Sequence, residues 1–273
     1  MKIFEIYFSP TGTSAKVAHE LAKGLSETLC GCETEVCDLT RCEMEVKVGE
    51  GDVAVIAAPV YGGHFAPLAR KRMEAVTGSG ARCVLVAVYG NRAFENAVND
   101  MAAFFSERGF STVGAAAFVG EHSYSTAETP IAAGRPDEED MAVAYEFGCR
   151  VGEKLNGCCA DVSRLVDVPS PEQSLRNFRE FVVGYQKMQA ESPRKFLPEV
   201  DLSRCTACGA CVEVCPTAAI SDDCHGVDAS KCIKCCACVK ACPEHARTLY
   251  TPFAKPLSEN FSARKQPVFV IAD

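Results

Sequence analysis

The 273-residue sequence has no apolar run long enough to cross a bilayer, and it has no tryptophan. Its 28 Lys and Arg residues are outnumbered by 36 Asp and Glu residues, and the formal net charge is −8. A nucleic-acid surface needs clustered basic residues, which this sequence lacks, so we expect no nucleic-acid partner. The N-terminal stretch MKIFEIYFSP lacks the small-residue cleavage site of a secretory peptide, so we expect a cytoplasmic protein without a membrane span.

Cysteine is unusually abundant, with 18 residues in the chain. In a chain of this size that stays in a reducing compartment, many thiols indicate metal binding rather than disulfides. So many thiols also suit a cell that avoids oxygen, and we therefore expect an anaerobic source.

Five apolar segments alternate with helical patterns through about residue 160. The two most continuous, 52–59 and 82–90, are typical of central strands in a parallel sheet that is covered on both faces. Strands are predicted over 3–8, 34–39, 52–59, 82–90 and 111–120, and helices over 13–29, 65–77, 94–109 and 137–156. This alternation predicts a doubly wound α/β domain over residues 1–160.

The remaining residues divide into three segments by composition. Residues 161–198 are predicted to be a connector that packs on a neighbouring element, because one helical face in it carries Leu175, Phe178, Phe181, Val182 and Tyr185. Residues 199–247 are rich in cysteine and internally repeated. Residues 248–273 form a tail whose apolar end, PVFVIA, is a candidate for a further strand or for a segment lying on the α/β domain.

The cysteine-rich segment contains one pattern twice. Residues 205–216 read CTACGACVEVCP and residues 232–243 read CIKCCACVKACP, so each is C-x2-C-x2-C-x3-C-P and the repeat is 27 residues. Three thiolates on one tight loop reach three corners of an iron–sulfur cubane. Zinc needs only four ligands and does not select two such loops, so we expect clusters.

Residues 201–245 resemble the bacterial two-cluster ferredoxins. The resemblance implies two [4Fe–4S] clusters in a small α+β domain, with the fourth cysteine of each motif binding the other motif's cluster. One ligand set is then Cys205, Cys208, Cys211 and Cys242, and the other is Cys232, Cys235, Cys238 and Cys215. Cys224 and Cys236 lie outside the pattern and are not predicted ligands. Cys158 and Cys159, near the end of the last predicted helix, receive no role.

A second motif, SPTGTSAK at residues 9–16, follows the first strand and opens the first helix. Hydroxyls and backbone N–H groups at a helix N-terminus cradle a phosphate without a lysine, and here they come from Ser9, Thr11, Gly12, Thr13 and Ser14. Neither G-x-G-x-x-G nor G-x-x-x-x-G-K-[ST] occurs in the chain, so the usual dinucleotide and nucleoside triphosphate motifs are absent. A helix cap is the alternative role for such a loop.

Residues 1–160 resemble the flavodoxin family, in which this loop binds the phosphate of FMN. The resemblance implies a five-stranded sheet in the order 2-1-3-4-5 and two further FMN loops at the carboxyl ends of strands. Their predicted contacts are Pro59, Val60, Tyr61, Gly62 and Gly63 in the first loop, and Tyr89, Gly90, Asn91, Arg92 and Phe94 in the second. Tyr61, Tyr89 and Phe94 are the candidates to flank the ring, since there is no tryptophan. Arg92 is either a positive charge near the flavin or a surface residue.

Clusters pass one electron at a time, whereas a flavin accepts one or two. The combination predicts an electron-transfer protein that relays electrons between redox partner proteins, two clusters and FMN. The alternative is a flavin-dependent reductase of a quinone or free flavin, with His64, His122 or Tyr61 as a proton donor. No catalytic residue is assigned, and the sequence leaves the oligomeric state open.

Overall fold

The structure, a computed structural model, describes residues 1–156, 162 and 164–272. The chain packs into two compact units, which are described separately below. The first contains Met1–Glu121, Gly134–Val168 and Arg264–Asp273, and the second contains His122–Ala133 and Pro169–Ala263. Cys158, Cys159 and the predicted domain boundary at 160/161 lie outside the described residues.

The helices and strands follow one another along the chain. The strands are β1 (Ile3–Tyr7), β2 (Thr34–Asp38), β3 (Val46–Val48), β4 (Val53–Tyr61), β5 (His64–Phe65), β6 (Val76–Gly78), β7 (Ala81–Tyr89), β8 (Phe110–Val119), β9 (Glu199–Val200), β10 (Arg247–Thr248) and β11 (Val268–Ile271). The helices are α1 (Thr13–Thr28), α2 (Pro67–Arg72), α3 (Ala97–Ser106), α4 (Glu138–Leu155), α5 (Glu172–Glu191), α6 (Ala210–Glu213), α7 (Ala237–Lys240) and α8 (Ala254–Asn260).

The first unit is built on a sheet in the order β11-β8-β7-β4-β1-β2, with the two-residue β5 pairing with β4. Five strands, β1, β2, β4, β7 and β8, run parallel in the predicted relative order. The prediction of five strands is incomplete, because the apolar tail adds β11 antiparallel to β8, with Val268 opposite Ala117. The helix predicted over 65–77 is shorter than expected: Pro67 opens α2, and β6 follows it.

Helices α1 and α4 cover one face of this sheet. Helix α4 begins with a capping box, in which the Asp137 side chain accepts from the Asp140 amide and the Asp140 side chain from the Asp137 amide. The two helices cross closely through glycines: a Cβ on Gly24 would overlap the carbonyl oxygen of Tyr145, and one on Gly148 that of Leu21. The apolar face of each helix is thereby buried with the sheet in a common core.

The second unit contains the predicted connector helix, α5, which packs against α8. Phe178 lies 5.3 Å from Phe261, and both Phe181 and Tyr185 contact Phe253, at 5.2 and 4.8 Å between ring centroids. The segment His122–Ala133 contributes Tyr124 and Ile131 to the same apolar cluster. The aromatic face seen in the sequence is therefore the packing face of α5.

Substitution of Gly148 tests the close helix crossing. We expect Gly148→Ala to lower the free energy of unfolding by about 1–3 kcal/mol, because the added methyl group must displace backbone. Urea denaturation followed by circular dichroism measures the change. Gly184→Ala is the control, since a Cβ on Gly184 of α5 meets nothing within 4 Å and should stabilise that helix by up to about 1 kcal/mol. Equal effects at the two positions would contradict the tight crossing.

Candidate cofactor sites

The backbone of the second unit repeats with the 27-residue period of the cysteine motifs. Three pairs of non-helical positions have the same left-handed conformation, and one member of each pair lies in each motif. They are Ala207 and Lys234 (φ 52° and 57°), Gly209 and Cys236 (82° and 60°), and Ala218 and His245 (48° and 48°). Gly209 precedes α6 and Cys236 precedes α7, so the two motifs form equivalent loop-helix structures.

Two aspartates, each four residues before the first cysteine of a motif, accept matching hydrogen bonds. Asp201 accepts from the amide of Ser203 at 2.9 Å, and Asp228 accepts from the amide of Ser230 at 2.8 Å. The hydroxyls of Ser203 and Ser230 donate to the same two carboxylates. These hydroxyl and N–H hydrogen bonds lower the pKa of both carboxyl groups. The amide of each aspartate donates to the other half of the unit: Asp201 to the Ala246 carbonyl at 2.8 Å and Asp228 to the Ala219 carbonyl at 2.7 Å. The segment that leads into each motif is therefore held by a backbone hydrogen bond to the other half of the unit.

The eight predicted ligands line two small cavities. The cysteines of one are Cys205, Cys208, Cys211 and Cys242, together with Cys224. Those of the other are Cys215, Cys232, Cys235 and Cys238, together with Cys236. Each cavity thus takes three cysteines of one motif and the fourth of the other, the grouping that the crossed assignment requires. The assignment of ligands itself stays a prediction.

The donors around the cavities suit a metal–sulfur cluster. The fourth cysteine of each motif accepts a backbone hydrogen bond at sulfur, from Ala219 to Cys215 at 3.2 Å and from Ala246 to Cys242 at 3.3 Å. Burial raises the pKa of Cys235 to about 11 and that of Cys238 to about 12. Without a metal these thiols would stay protonated at neutral pH, so their role as thiolates requires a cation.

The phosphate loop of the first unit lies between β1 and α1. Gly12 is the N-cap of α1 with φ 81°, a conformation that glycine adopts without strain, and this N-cap residue has no side chain to cap the helix. The Ser9 hydroxyl accepts from the Ala15 amide at 3.0 Å, and the Ser9 amide donates to Thr40 Oγ1 at 2.9 Å. Thr40, which the sequence analysis missed, therefore fixes the loop from the segment after β2.

The groups in this loop fit a phosphate. Within the described part of the chain, the amides of Thr11, Thr13 and Ser14 have no hydrogen-bond acceptor. The first turn of α1 carries no acidic residue, and it stands at the positive end of a 16-residue helix. The loop is partly exposed except for Ser14, which is buried. These amides would hold the phosphate of FMN, and Thr11 and Thr13 would add hydroxyl donors.

The two predicted ring loops meet after β4 and β7. Gly62 and Gly63 both have positive φ, and the Gly63 carbonyl accepts from the Asn96 amide at 3.0 Å. A Cβ on Gly63 would overlap the Glu95 carboxylate. Pro59, Val60 and Tyr61 at the end of β4, and Gly90 and Arg92 after β7, are partly exposed, while Asn91 is buried with φ 64°.

Two of the three aromatic candidates for flanking a flavin ring are buried. Tyr89 and Phe94 are 3% and 0% exposed and pack edge to face at 5.5 Å, so neither ring has a surface for a flavin in this conformation. Tyr61 is the partly exposed aromatic residue of the three. The Arg92 guanidinium pairs with Glu95, so its positive charge is largely compensated.

Residues distant in sequence hold the second loop. Asp167 Oδ2 accepts from the Glu95 amide at 3.0 Å, and Lys265 Nζ donates to the Arg92 carbonyl at 2.7 Å and to the Val168 carbonyl at 3.2 Å. Burial raises the pKa of Tyr89, and the Asp167 carboxylate adds to this effect. Neither Asp167 nor Lys265 stands in a motif, so local sequence patterns could not have identified them.

The two histidines considered as proton donors lie in different units. His64 is exposed in the first unit, and its Nδ1 lies 2.8 Å from Asp100 Oδ2. His122 belongs to the second unit, where its Nδ1 accepts from the Tyr124 amide at 3.0 Å and its ring lies 4.9 Å from that of Tyr124.

Comparison with known proteins gives two family matches. The family described as flavodoxin domain matches residues 6–128, and the family described as 4Fe-4S binding domain matches residues 198–221 and 225–248. A curated relative, one of the subunits of the ion-translocating oxidoreductase complex of Methanosarcina acetivorans, is 46% identical over 44 residues. That match covers 14% of this chain and only 17% of the relative's length.

Solved flavodoxins are more distant. One from the domain Archaea is 14% identical with a TM-score of 0.42, over 57% of this chain and 100% of its own. A flavodoxin of Streptococcus pneumonia TIGR4 is 17% identical with a TM-score of 0.38, over 54% of this chain and 95% of its own.

The family matches confirm the predicted cofactor classes. The 4Fe-4S motifs establish [4Fe–4S] clusters, and the flavodoxin domain indicates FMN or another flavin. In the part of the chain that the structure describes, every helix is too short or too polar to cross a membrane.

A charge placed in the phosphate loop tests FMN binding. We expect Thr13→Asp to raise the Kd of FMN by at least about tenfold, because repulsion from the phosphate costs on the order of 1 kcal/mol or more at close range. The same carboxylate favours the helix N-terminus, so stability should not fall. Fluorescence titration measures the Kd of FMN and, for comparison, the Kd of riboflavin, which lacks the phosphate. Thr13→Asn is the uncharged control, and an equal loss of riboflavin affinity would contradict phosphate binding at this loop.

Paired substitutions test the crossed ligand sets. We expect Cys215→Ser, Cys232→Ser and their combination each to keep about four of about eight irons, because both residues serve one cluster. Cys205→Ser combined with Cys215→Ser should lose both clusters. Iron and labile sulfide are counted after anaerobic purification, with Cys30→Ser, an exposed cysteine outside the motifs, as control. If the Cys205→Ser, Cys215→Ser variant kept four irons, each motif would hold its own cluster.

Proposed function

We propose that this chain relays electrons between an external one-electron carrier and a bound FMN. The proposal rests on the electron-transfer role that follows from joining a flavodoxin domain to two 4Fe-4S binding motifs. Bound clusters supply one-electron chemistry and a bound flavin supplies one- or two-electron chemistry. The relay connects the two. We further propose that it acts in the cytoplasm and that its partners are redox proteins.

One observation carries this proposal: the same chain contains paired thiol cavities and a phosphate loop. In the second unit, eight cysteines are divided between two cavities, and N–H donors face the sulfurs of Cys215 and Cys242. Such hydrogen bonds stabilise negative charge on a sulfur ligand. In the first unit, the amides of Thr11, Thr13 and Ser14 are available to an anionic group at the start of α1.

The loops of the first unit would shape the flavin site. Gly62 and Gly63 permit close approach of backbone, and Asp167 and Lys265 hold the loop that contains Gly90 and Arg92. Because Glu95 compensates the charge of Arg92, this loop would place little net positive charge near a bound ring. The exposed neighbourhood of Tyr61 and Gly62 leaves room for a flat ligand.

A second function, reduction of a quinone or free flavin, is favoured by His64. Its Nδ1 lies at hydrogen-bond distance from Asp100, and the other ring nitrogen, Nε2, would point away from Asp100 on this exposed side chain. A histidine oriented in this way is suited to proton donation. His64 stands beside Gly63, in the first predicted ring loop.

Removal of the clusters tests the relay. We expect the Cys205→Ser, Cys232→Ser variant to retain FMN but to lose rapid reduction of that FMN by a one-electron carrier protein, because the route through the thiol cavities is absent. Anaerobic stopped-flow absorbance measures the rate, with Cys30→Ser as control. Equally fast reduction in the variant would contradict a relay. Steady-state consumption of a quinone by the intact protein, lost in His64→Ala, would instead support the reductase.

A further inference from the structure

The repeat lets each residue of one cysteine motif be compared with its counterpart in the other. The backbones match, yet the surroundings do not: Cys208 is exposed, whereas its counterpart Cys235 is 7% exposed. Residues 206–208 are all exposed, whereas among their counterparts 233–235 Ile233 is partly exposed, Lys234 is exposed and Cys235 is buried. Since the local conformation is the same, contacts outside the motif must account for the difference at Cys235.

Tyr124 and Pro198 account for part of the covering of the second motif. Tyr124 is partly buried against the apolar cluster of Ile131, Leu257 and Phe261, and the thiols of Cys236, Cys232 and Cys235 lie near it. Pro198 lines the cavity that contains Cys232. The lining of the first motif's cavity does not include Pro198, and residues 206–208 beside that cavity are exposed to solvent.

The two motifs also differ in charge at equivalent positions. Glu213 on α6 corresponds to Lys240 on α7, and Ala207 corresponds to Lys234. The first cavity is further bordered by Glu244, and Asp222 stands two residues before its lining residue Cys224. All these charged side chains belong to residues that are at least partly exposed. Arg204, equivalent to Lys231, is the basic residue of the first half, and Arg247 lines the first cavity. Residues 201–227 still hold four acidic residues against one basic residue, whereas residues 228–248 hold two acidic residues against four basic ones. The first half is therefore the acidic one, and the formal charge of a thiolate-bound cluster would add to it.

We propose that the exposed residues 206–208, two of which line a cavity with Glu244, form together with Glu213 and Asp222 the docking surface for an external one-electron carrier protein whose contact face is basic. The inference rests on the proposed relay and specifies where electrons enter or leave it. One electron passes between the carrier and the centre held by the Cys205 set; one partner is oxidised and the other reduced by one electron, and no atom or proton is transferred. An exposed centre permits the close approach that this exchange needs, and opposite charges orient the encounter.

Charge reversal at equivalent positions tests the docking surface. The intact protein is reduced anaerobically, freed of reductant, and mixed with a basic c-type cytochrome, whose ferric haem takes one electron and becomes ferrous. We expect Glu213→Lys and Asp222→Lys each to lower the second-order rate constant by about tenfold at low ionic strength, with the difference shrinking as salt is added. The matched control is Lys240→Glu, which changes charge by the same amount on the second motif and should alter the rate less than about twofold.

Replacing the basic cytochrome by an acidic ferredoxin tests the sign of the charge effect on the rate constant. Glu213→Lys should then raise the rate constant, which a merely damaged protein would not do. The inference is overturned if Lys240→Glu has the larger effect, or if neither Glu213→Lys nor Asp222→Lys changes the rate. The iron and flavin content of each sample distinguishes failure of the docking surface from failure of the proposed relay. Unchanged rates with full iron and flavin overturn only the docking surface, whereas a wild-type protein without flavin overturns the proposed function on which it rests.

Discussion

The second unit depends on a reciprocal arrangement in which each half completes the other. Asp201 and Asp228 each donate a backbone hydrogen bond across the repeat, and each cavity takes its fourth cysteine from the opposite motif. Helices α6 and α7 span only four residues each, so secondary structure contributes little stability by itself. A module this small gains the missing stability from metal binding, and folding and cluster assembly are therefore one process.

The first unit provides a different kind of site, on a conventional sheet whose cofactor loops lie at the carboxyl ends of β1, β4 and β7. That position follows from the strand order, because loops on the two sides of the switch point diverge and leave a crevice. Gly12 supplies no side-chain cap to α1, and the N–H groups of Thr13 and Ser14 stay available to an anion. A phosphate bound there, as we propose, would be held by hydrogen bonds and the helix dipole.

Much of this was accessible from sequence because the decisive signals are local. The register of eight cysteines and two prolines, the loop at residues 9–14 and the apolar strands all lie within short windows. What escaped depends on contacts between distant segments: Lys265 holds the loop at Arg92, and packing buries Tyr89 and Phe94. The apolar tail was a candidate for a further strand, but its antiparallel pairing with β8 was not predicted. The place of His122–Ala133 in the second unit also escaped, because nothing in that segment marks its partner, the aromatic face of α5.

The central claim is that one chain holds two clusters and one flavin, and the iron and flavin content of anaerobically purified protein tests it most directly. The account predicts about eight irons, an equal amount of labile sulfide and one FMN per chain. Eight irons without flavin would contradict the relay, because the phosphate loop would then serve another ligand or only cap α1. Zinc in place of iron would contradict the interpretation of both thiol cavities.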